Sequence, residues 1–190
     1  MLQQTQVDRV IPKYHEFLTR YPDLQTLAKS RVSELKRVWY PLGYNIRPLR
    51  LRQIAKTVVR QHGGQLPDSY DGLIALDGIG RYTAGAVLSF AFRQDAPILD
   101  TNVARLLQRV FGVAGDAATS TTRNQLWKLA REVIPPGNAY DINQAMMDFG
   151  AMICTARRPL CQTCALRDIC DTYPYEPPQP APRRSGDRPD

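Results

Sequence analysis

Four cysteines, the only ones in the chain, fall at Cys154, Cys161, Cys164 and Cys170, a C-x6-C-x2-C-x5-C run inside seventeen residues. Any fold this chain adopts must bend that loop around whatever its thiols serve. Thiols packed so closely suit a metal better than a disulfide framework, and no apolar signal segment opens the sequence to suggest an oxidising compartment. A zinc ion held by four thiolates is one reading, although only one gap is the two-residue knuckle usual for zinc. A cubane iron–sulfur cluster is wider than a single ion and needs a looser wrap. One short gap between two longer ones supplies it, so the spacing favours the cluster while leaving zinc open. Arg157, Arg158 and Arg167 lie in the same loop. They offer positive charge to a polyanion or serve equally well as a solvated surface.

The rest of the chain is long enough, at 190 residues with 43% hydrophobic, to bury one core or two small ones. No apolar run approaches the roughly 18 residues of a membrane span, so no membrane partner is expected. The excess of 25 Lys and Arg over 18 Asp and Glu gives +7 and a pI near 9.4. That balance leans toward nucleic acid rather than acidic proteins or neutral metabolites. From Tyr173 to Asp190 the sequence carries six prolines in eighteen residues, with three arginines matched by Glu176, Asp187 and Asp190. The segment reads as a disordered tail, which leaves the positive charge to the folded part.

Apolar residues recur at helical spacing almost everywhere before that tail. Val7, Val10, Ile11, Tyr14, Phe17 and Leu18 form one such set, and Leu51, Ile54, Ala55, Val58 and Val59 another. Similar patterns cover 84–92, 103–111, 126–133 and 142–153, punctuated by turns such as Pro135-Pro136-Gly137-Asn138. No two-residue alternation persists. The expectation is an all-α fold of about eight to ten short helices.

Two motifs stand out within it. Leu76-Asp77-Gly78-Ile79-Gly80-Arg81-Tyr82-Thr83-Ala84 places two glycines between helical patterns, which predicts a tight hairpin whose N–H groups open the second helix toward a phosphate; a plain helix–helix turn is the simpler alternative. About twenty residues on, Ile98-Leu99-Asp100-Thr101-Asn102-Val103-Ala104-Arg105 puts Asp100 at the start of an amphipathic helix. An N-cap is its default role, and a carboxylate facing the same cleft as the hairpin also suits a cationic sugar.

Together the hairpin, the later Asp and the four-cysteine loop resemble the helix-hairpin-helix DNA glycosylases with an iron–sulfur cluster, the endonuclease III and MutY superfamily. Met1-Leu2-Gln3-Gln4-Thr5-Gln6-Val7, Leu42-Gly43-Tyr44 and the stretch from Asn143-Gln144-Ala145 through Asp148-Phe149-Gly150 to Cys154 are similar to its adenine glycosylase branch. The resemblance runs from residue 1 to about 172. It implies a monofunctional enzyme that flips adenine out of a mispair with 8-oxoguanine or guanine and cuts its N-glycosidic bond. Gln3, Gln4 and Tyr44 match residues that enter the duplex, and Gly78 and Gly80 match the phosphate-holding hairpin. Asp100 matches the catalytic carboxylate and Asn102 a polar residue that positions the site. Tyr82 stands where strand-cutting relatives carry a Schiff-base lysine. Cys154, Cys161, Cys164 and Cys170 match the ligands of a [4Fe-4S] cluster.

The resemblance also sets expectations about organisation. One helical lobe is expected over 1–112, a cluster lobe over 113–172 and the tail over 173–190, with double-stranded DNA containing a mismatch or oxidised guanine held between the lobes. The protein is expected to be a cytoplasmic monomer associated with the bacterial nucleoid. The family's general acid is a Glu two residues before the Met-Leu-Gln-Gln string, so Met1 is expected to be an internal methionine and the chain as written an impaired enzyme. The family's 8-oxoguanine-reading domain is expected to be missing from this chain. That keeps two alternatives open: a thymine glycosylase acting on G·T mismatches, and an impaired iron–sulfur protein that binds DNA without cutting it.

Overall fold

The computed structural model describes residues 1, 5–43 and 46–176, and among them there is no strand. Gln3, Gln4 and Tyr44, together with the tail beyond Glu176, lie outside the described residues. The chain divides into two compact units, Met1–Leu88 and a second that begins at Ser89.

Among its described residues the first unit strings together six α-helices: α1 (Val7–Arg20), α2 (Leu24–Lys29), α3 (Val32–Trp39), α4 (Ile46–Gln61), α5 (Tyr70–Ile74) and α6 (Arg81–Ala86). Local signals set their short lengths. Asp23 accepts the Thr26 N–H at 2.6 Å to start α2, and this capping bond holds its carboxyl below the usual Asp pKa. Pro41 follows directly on the end of α3. Helix α2 lies along α4, and α3 packs on both α1 and α4. Between them Val10, Phe17, Leu27, Leu35, Val38, Trp39 and Ala55 are buried. Trp39 anchors this core at 1% exposure, with its indole N–H donating to the Gly43 carbonyl at 2.9 Å. Truncating a tryptophan packed in this way costs about 3–5 kcal/mol. Only two of the six residues of the apolar stripe on α1 are buried, Val10 and Phe17, while Val7, Ile11, Tyr14 and Leu18 remain exposed.

The second unit is built on α7 (Thr101–Val110), α8 (Ser120–Glu132) and α9 (Ala139–Met152). Val103, Ala104, Leu106, Leu107 and Val110 make one face of α7 almost wholly apolar and buried. That face packs on α8 and α9 through Leu126, Trp127, Ala130 and Met146. The boundary drawn at 112 from the sequence therefore differs from the contact division after Leu88: the core of α7 belongs with the helices that follow it. Cys154, Leu166 and Cys170 pack against the same core, so the cysteine loop is attached to it directly. No described helix is long and apolar enough to cross a membrane.

Candidate active site and metal centre

The hairpin forms as the two glycines demand, with a different reason for each. Gly78 sits at φ +91°, where any L side chain is strained, and the aliphatic stem of Arg50 lies 3.2 Å from where its Cβ would stand. Gly80 has an ordinary extended backbone, φ −94° and ψ 174°, with nothing within 4 Å of an added Cβ. Its bare surface leaves the start of α6 open to a ligand, with no side-chain cap in the way. Tyr82 lies in the first turn of α6, half-buried.

Asp100 fills the N-cap role read from the sequence. Its Oδ1 accepts the Val103 N–H at 2.7 Å, while Oδ2 receives only a longer bond of 3.3 Å from Asn102 Nδ2. Half of the carboxylate is thus spent on the helix, and the other half is only lightly held. The segment leading to it is fixed from behind by Asn143, which has 0% exposure. Its Oδ1 accepts the Ile98 N–H at 3.4 Å, and its Nδ2 donates to the Ser89 hydroxyl at 2.9 Å and the Ala96 carbonyl at 2.8 Å. Asp95 adds a second tie, accepting the Gly137 N–H at 2.7 Å. A buried amide with its hydrogen bonds met sets one geometry and penalises others.

Asn102 and Arg105 continue the chain of contacts down α7. Arg105 Nη2 donates to Asn102 Oδ1 at 2.9 Å and to the Gly150 carbonyl at 2.6 Å, and its Nε donates to the Cys154 carbonyl at 2.8 Å. Helix α9 comes so close here that a Cβ on Gly150 would stand 2.8 Å from the Asn102 carbonyl oxygen. Hydrogen bonds therefore connect the Asp100 carboxylate, through Asn102 and Arg105, to the backbone of the first cysteine.

The four cysteines are half-buried and unbridged, and all four line one cavity. Apart from their sulfurs its wall is largely apolar, with Leu106, Val110, Phe149, Ile153 and Leu166 among the lining residues. Among the described residues, no group of three or more His, Cys, Asp or Glu side chains converges tightly enough for a single metal ion. Four thiols lining one largely apolar cavity are a donor set that fits a cubane cluster. Two short 3-10 turns, Cys161–Thr163 and Arg167–Ile169, shape the loop and place Cys161 and Cys170 at their edges. The sequence reading missed Arg109, which is 7% exposed. It holds the Thr155 and Ala156 carbonyls at 2.8 and 3.0 Å and lies 3.5 Å from Cys154 Sγ. Its signal was a basic residue on the apolar seam of α7, four positions after Arg105. Two residues of the expected tail, Tyr173 and Tyr175, make contacts with the rest of the chain. The Tyr173 hydroxyl donates to Gln162 at 3.3 Å and Tyr175 stacks on Arg109.

Five matches to known proteins bear on this site. Residues 1–132 match the HhH-GPD superfamily of base excision DNA repair proteins. Residues 154–170 match the iron–sulfur binding domain of endonuclease III, beginning on the first cysteine and ending on the last. Among individual proteins, the chain is 41% identical to the adenine DNA glycosylase of Mus musculus over 91% of its own length and 34% of that protein's. It is 39% identical to the thymine-DNA glycosylase of Aeropyrum pernix over 91% of its length and 79% of the relative's. The solved structure of a thermostable thymine-DNA glycosylase superposes with a TM-score of 0.83 at 31% identity, covering 90% of this chain and 79% of that one. The chain thus spans about a third of the mouse protein and most of the archaeal one.

Proposed function

The chain belongs to the HhH-GPD superfamily of base excision DNA repair proteins, and from that premise we propose that it forms the base-cutting part of an adenine DNA glycosylase. Its substrate is duplex DNA in which adenine faces 8-oxoguanine or guanine, and it works as a monomer. The reaction is hydrolysis of the bond between the base and C1′ of its sugar, with the base rotated out of the stack to reach the active site.

The observation that carries this reading is the state of Asp100. Breaking an N-glycosidic bond builds positive charge on the sugar, and a carboxylate fixed near that charge lowers the barrier by electrostatic stabilisation. Asp100 is fixed by its own helix through Oδ1 and keeps Oδ2 only lightly engaged by Asn102. Asn102 acts as a positioning residue, since Arg105 orients its amide in turn. Tyr82 has a phenol where a lysine would be needed for Schiff-base chemistry, so hydrolysis leaves an abasic site without cutting the strand. Gly78 and Gly80 present the start of α6 to a backbone phosphate, a contact that positions the duplex without reading its sequence. The fitted cluster, held by Cys154, Cys161, Cys164 and Cys170, supplies the metal–sulfur core around which the loop folds. The likeness to adenine glycosylases over nine-tenths of the chain supports adenine as the excised base.

A second reading has its own support. The chain spans most of the archaeal thymine-DNA glycosylase, so excision of thymine from G·T mismatches is the alternative. Single-turnover assays on A·8-oxoguanine, A·G and T·G duplexes separate the two: adenine release is expected, and release of thymine alone would transfer the assignment. A strand break formed without alkali would remove the monofunctional reading.

A further inference from the structure

The residues after the last cysteine do something that their composition conceals. From Tyr173 onward the sequence is proline-rich and polar, yet Tyr173 and Tyr175 both line the cavity that the four cysteines share. Tyr173 is tied back to the loop twice, by its N–H to the Cys170 carbonyl at 3.1 Å and by its hydroxyl to Gln162. Tyr175 lays its ring over the guanidinium of Arg109, whose carbon is 3.6 Å from the ring centroid.

Arg109 is an unusual anchor for such a contact. It is buried on α7 and forms no ion pair with a described carboxylate. A buried cation is costly unless its donors are met and negative charge lies near. Carbonyls at Thr155 and Ala156 meet its donors at the beginning of the loop. Its own carbonyl accepts the Thr172 hydroxyl at 2.9 Å and lies 3.4 Å from Cys170 Sγ at the end of the loop. One side chain and its backbone thus hold both ends of the cysteine loop, and the face left over is covered by Tyr175. Arg109 Nη1 also donates to Cys154 Sγ at 3.5 Å, one of the four sulfurs that would hold the cluster.

We propose that Tyr175, clamped on Arg109 by a cation–π stack, closes the cavity over the cluster and controls the access of water and small molecules to it. The proposal rests on the reading that the four cysteines hold an iron–sulfur cluster. The stack keeps water off the open face of the guanidinium, and with it off the path between Arg109 and Cys154. A ring is what this role needs; the hydroxyl is incidental.

The test uses the anaerobically purified, cluster-loaded protein and follows iron release to a water-soluble iron chelator by the absorbance of the chelate. Wild type, Tyr175→Ala and Tyr175→Phe are compared after their iron and sulfide contents and melting temperatures have been measured. All three should load equally and melt together. Tyr175→Ala should release iron roughly two- to tenfold faster, the range a cation–π contact commands, and Tyr175→Phe should match wild type. Equal release from Tyr175→Ala and wild type would overturn the proposal, and so would release from Tyr175→Phe as fast as from Tyr175→Ala. A wild-type protein that carries neither iron nor sulfide overturns both the cluster reading and the cover.

Discussion

Arg105 donates its Nε–H to the backbone carbonyl of Cys154 at 2.8 Å while its Nη2 holds Asn102, the partner of Asp100. One guanidinium therefore spans the start of the cysteine loop and the neighbour of the proposed catalytic carboxylate. Arg105→Ala leaves two carbonyls and an amide oxygen without their charged donor, each such bond being worth about 1.5–3 kcal/mol. Base release is expected to fall about 10- to 100-fold, with duplex affinity and iron content retained. Single-turnover rates set beside binding isotherms and iron assays check this. Unchanged turnover would show that Arg105 only staples the helix to the loop.

Gly150 is the closest approach of α9 to α7. An added methyl would stand 2.8 Å from the Asn102 carbonyl and 2.9 Å from its Cβ, a clash that neither backbone relieves without moving. Gly150→Ala should destabilise the protein by about 1–3 kcal/mol and slow base release by displacing Asn102. Thermal melting and turnover should fall together, and a variant as stable and active as wild type would mean that the helices separate freely.

The two hairpin glycines should part company on substitution. Gly78→Ala forces an alanine to φ +91° against Arg50, costing about 1–3 kcal/mol of stability. Gly80→Ala meets nothing within 4 Å and should fold normally, yet weaken binding to every duplex alike and flatten the salt dependence, since phosphate contacts carry no sequence information. Melting curves and binding at several salt concentrations distinguish them. A Gly80→Ala variant with full affinity would make the hairpin a plain turn.

Removing one cysteine tests the centre itself. Cys161→Ser should abolish the broad visible absorption of the cluster, and because Cys154 and Cys170 pack on the second core, the melting temperature should drop as well. Iron and sulfide in equal amounts are expected in wild type. Stoichiometric zinc in protein prepared without oxygen would contradict the cluster.

What the sequence made legible was local. The cysteine spacing, the paired glycines and the capping Asp100 each sit within one short segment, and each falls where its pattern implies. Periodicity found the α9 stretch but began α8 late, at 126 rather than Ser120, because its first turn, Ser120-Thr121-Thr122-Arg123-Asn124, is polar. The contacts that fix the site are long-range: Asn143 reaches back to Ser89 and Ala96, Arg105 and Arg109 reach forward to the loop, and Tyr175 returns to Arg109. A polar residue inside an apolar helical pattern was the available signal for three of them. Tyr175 gave none, since a tyrosine among prolines reads as tail until the cavity beside it is seen.

The most direct test of the account is Asp100→Asn, made in protein that includes any coding sequence upstream of Met1. Asn caps a helix about as well as Asp, so the substitution removes the charge and spares the fold. The measurement is single-turnover release of adenine from an A·8-oxoguanine duplex, run beside duplex binding and thermal melting. The account predicts loss of base release with binding and melting temperature near those of wild type, because the carboxylate acts chiefly in the transition state. Adenine released at the wild-type rate by Asp100→Asn would contradict it and reduce Asp100 to the cap of α7.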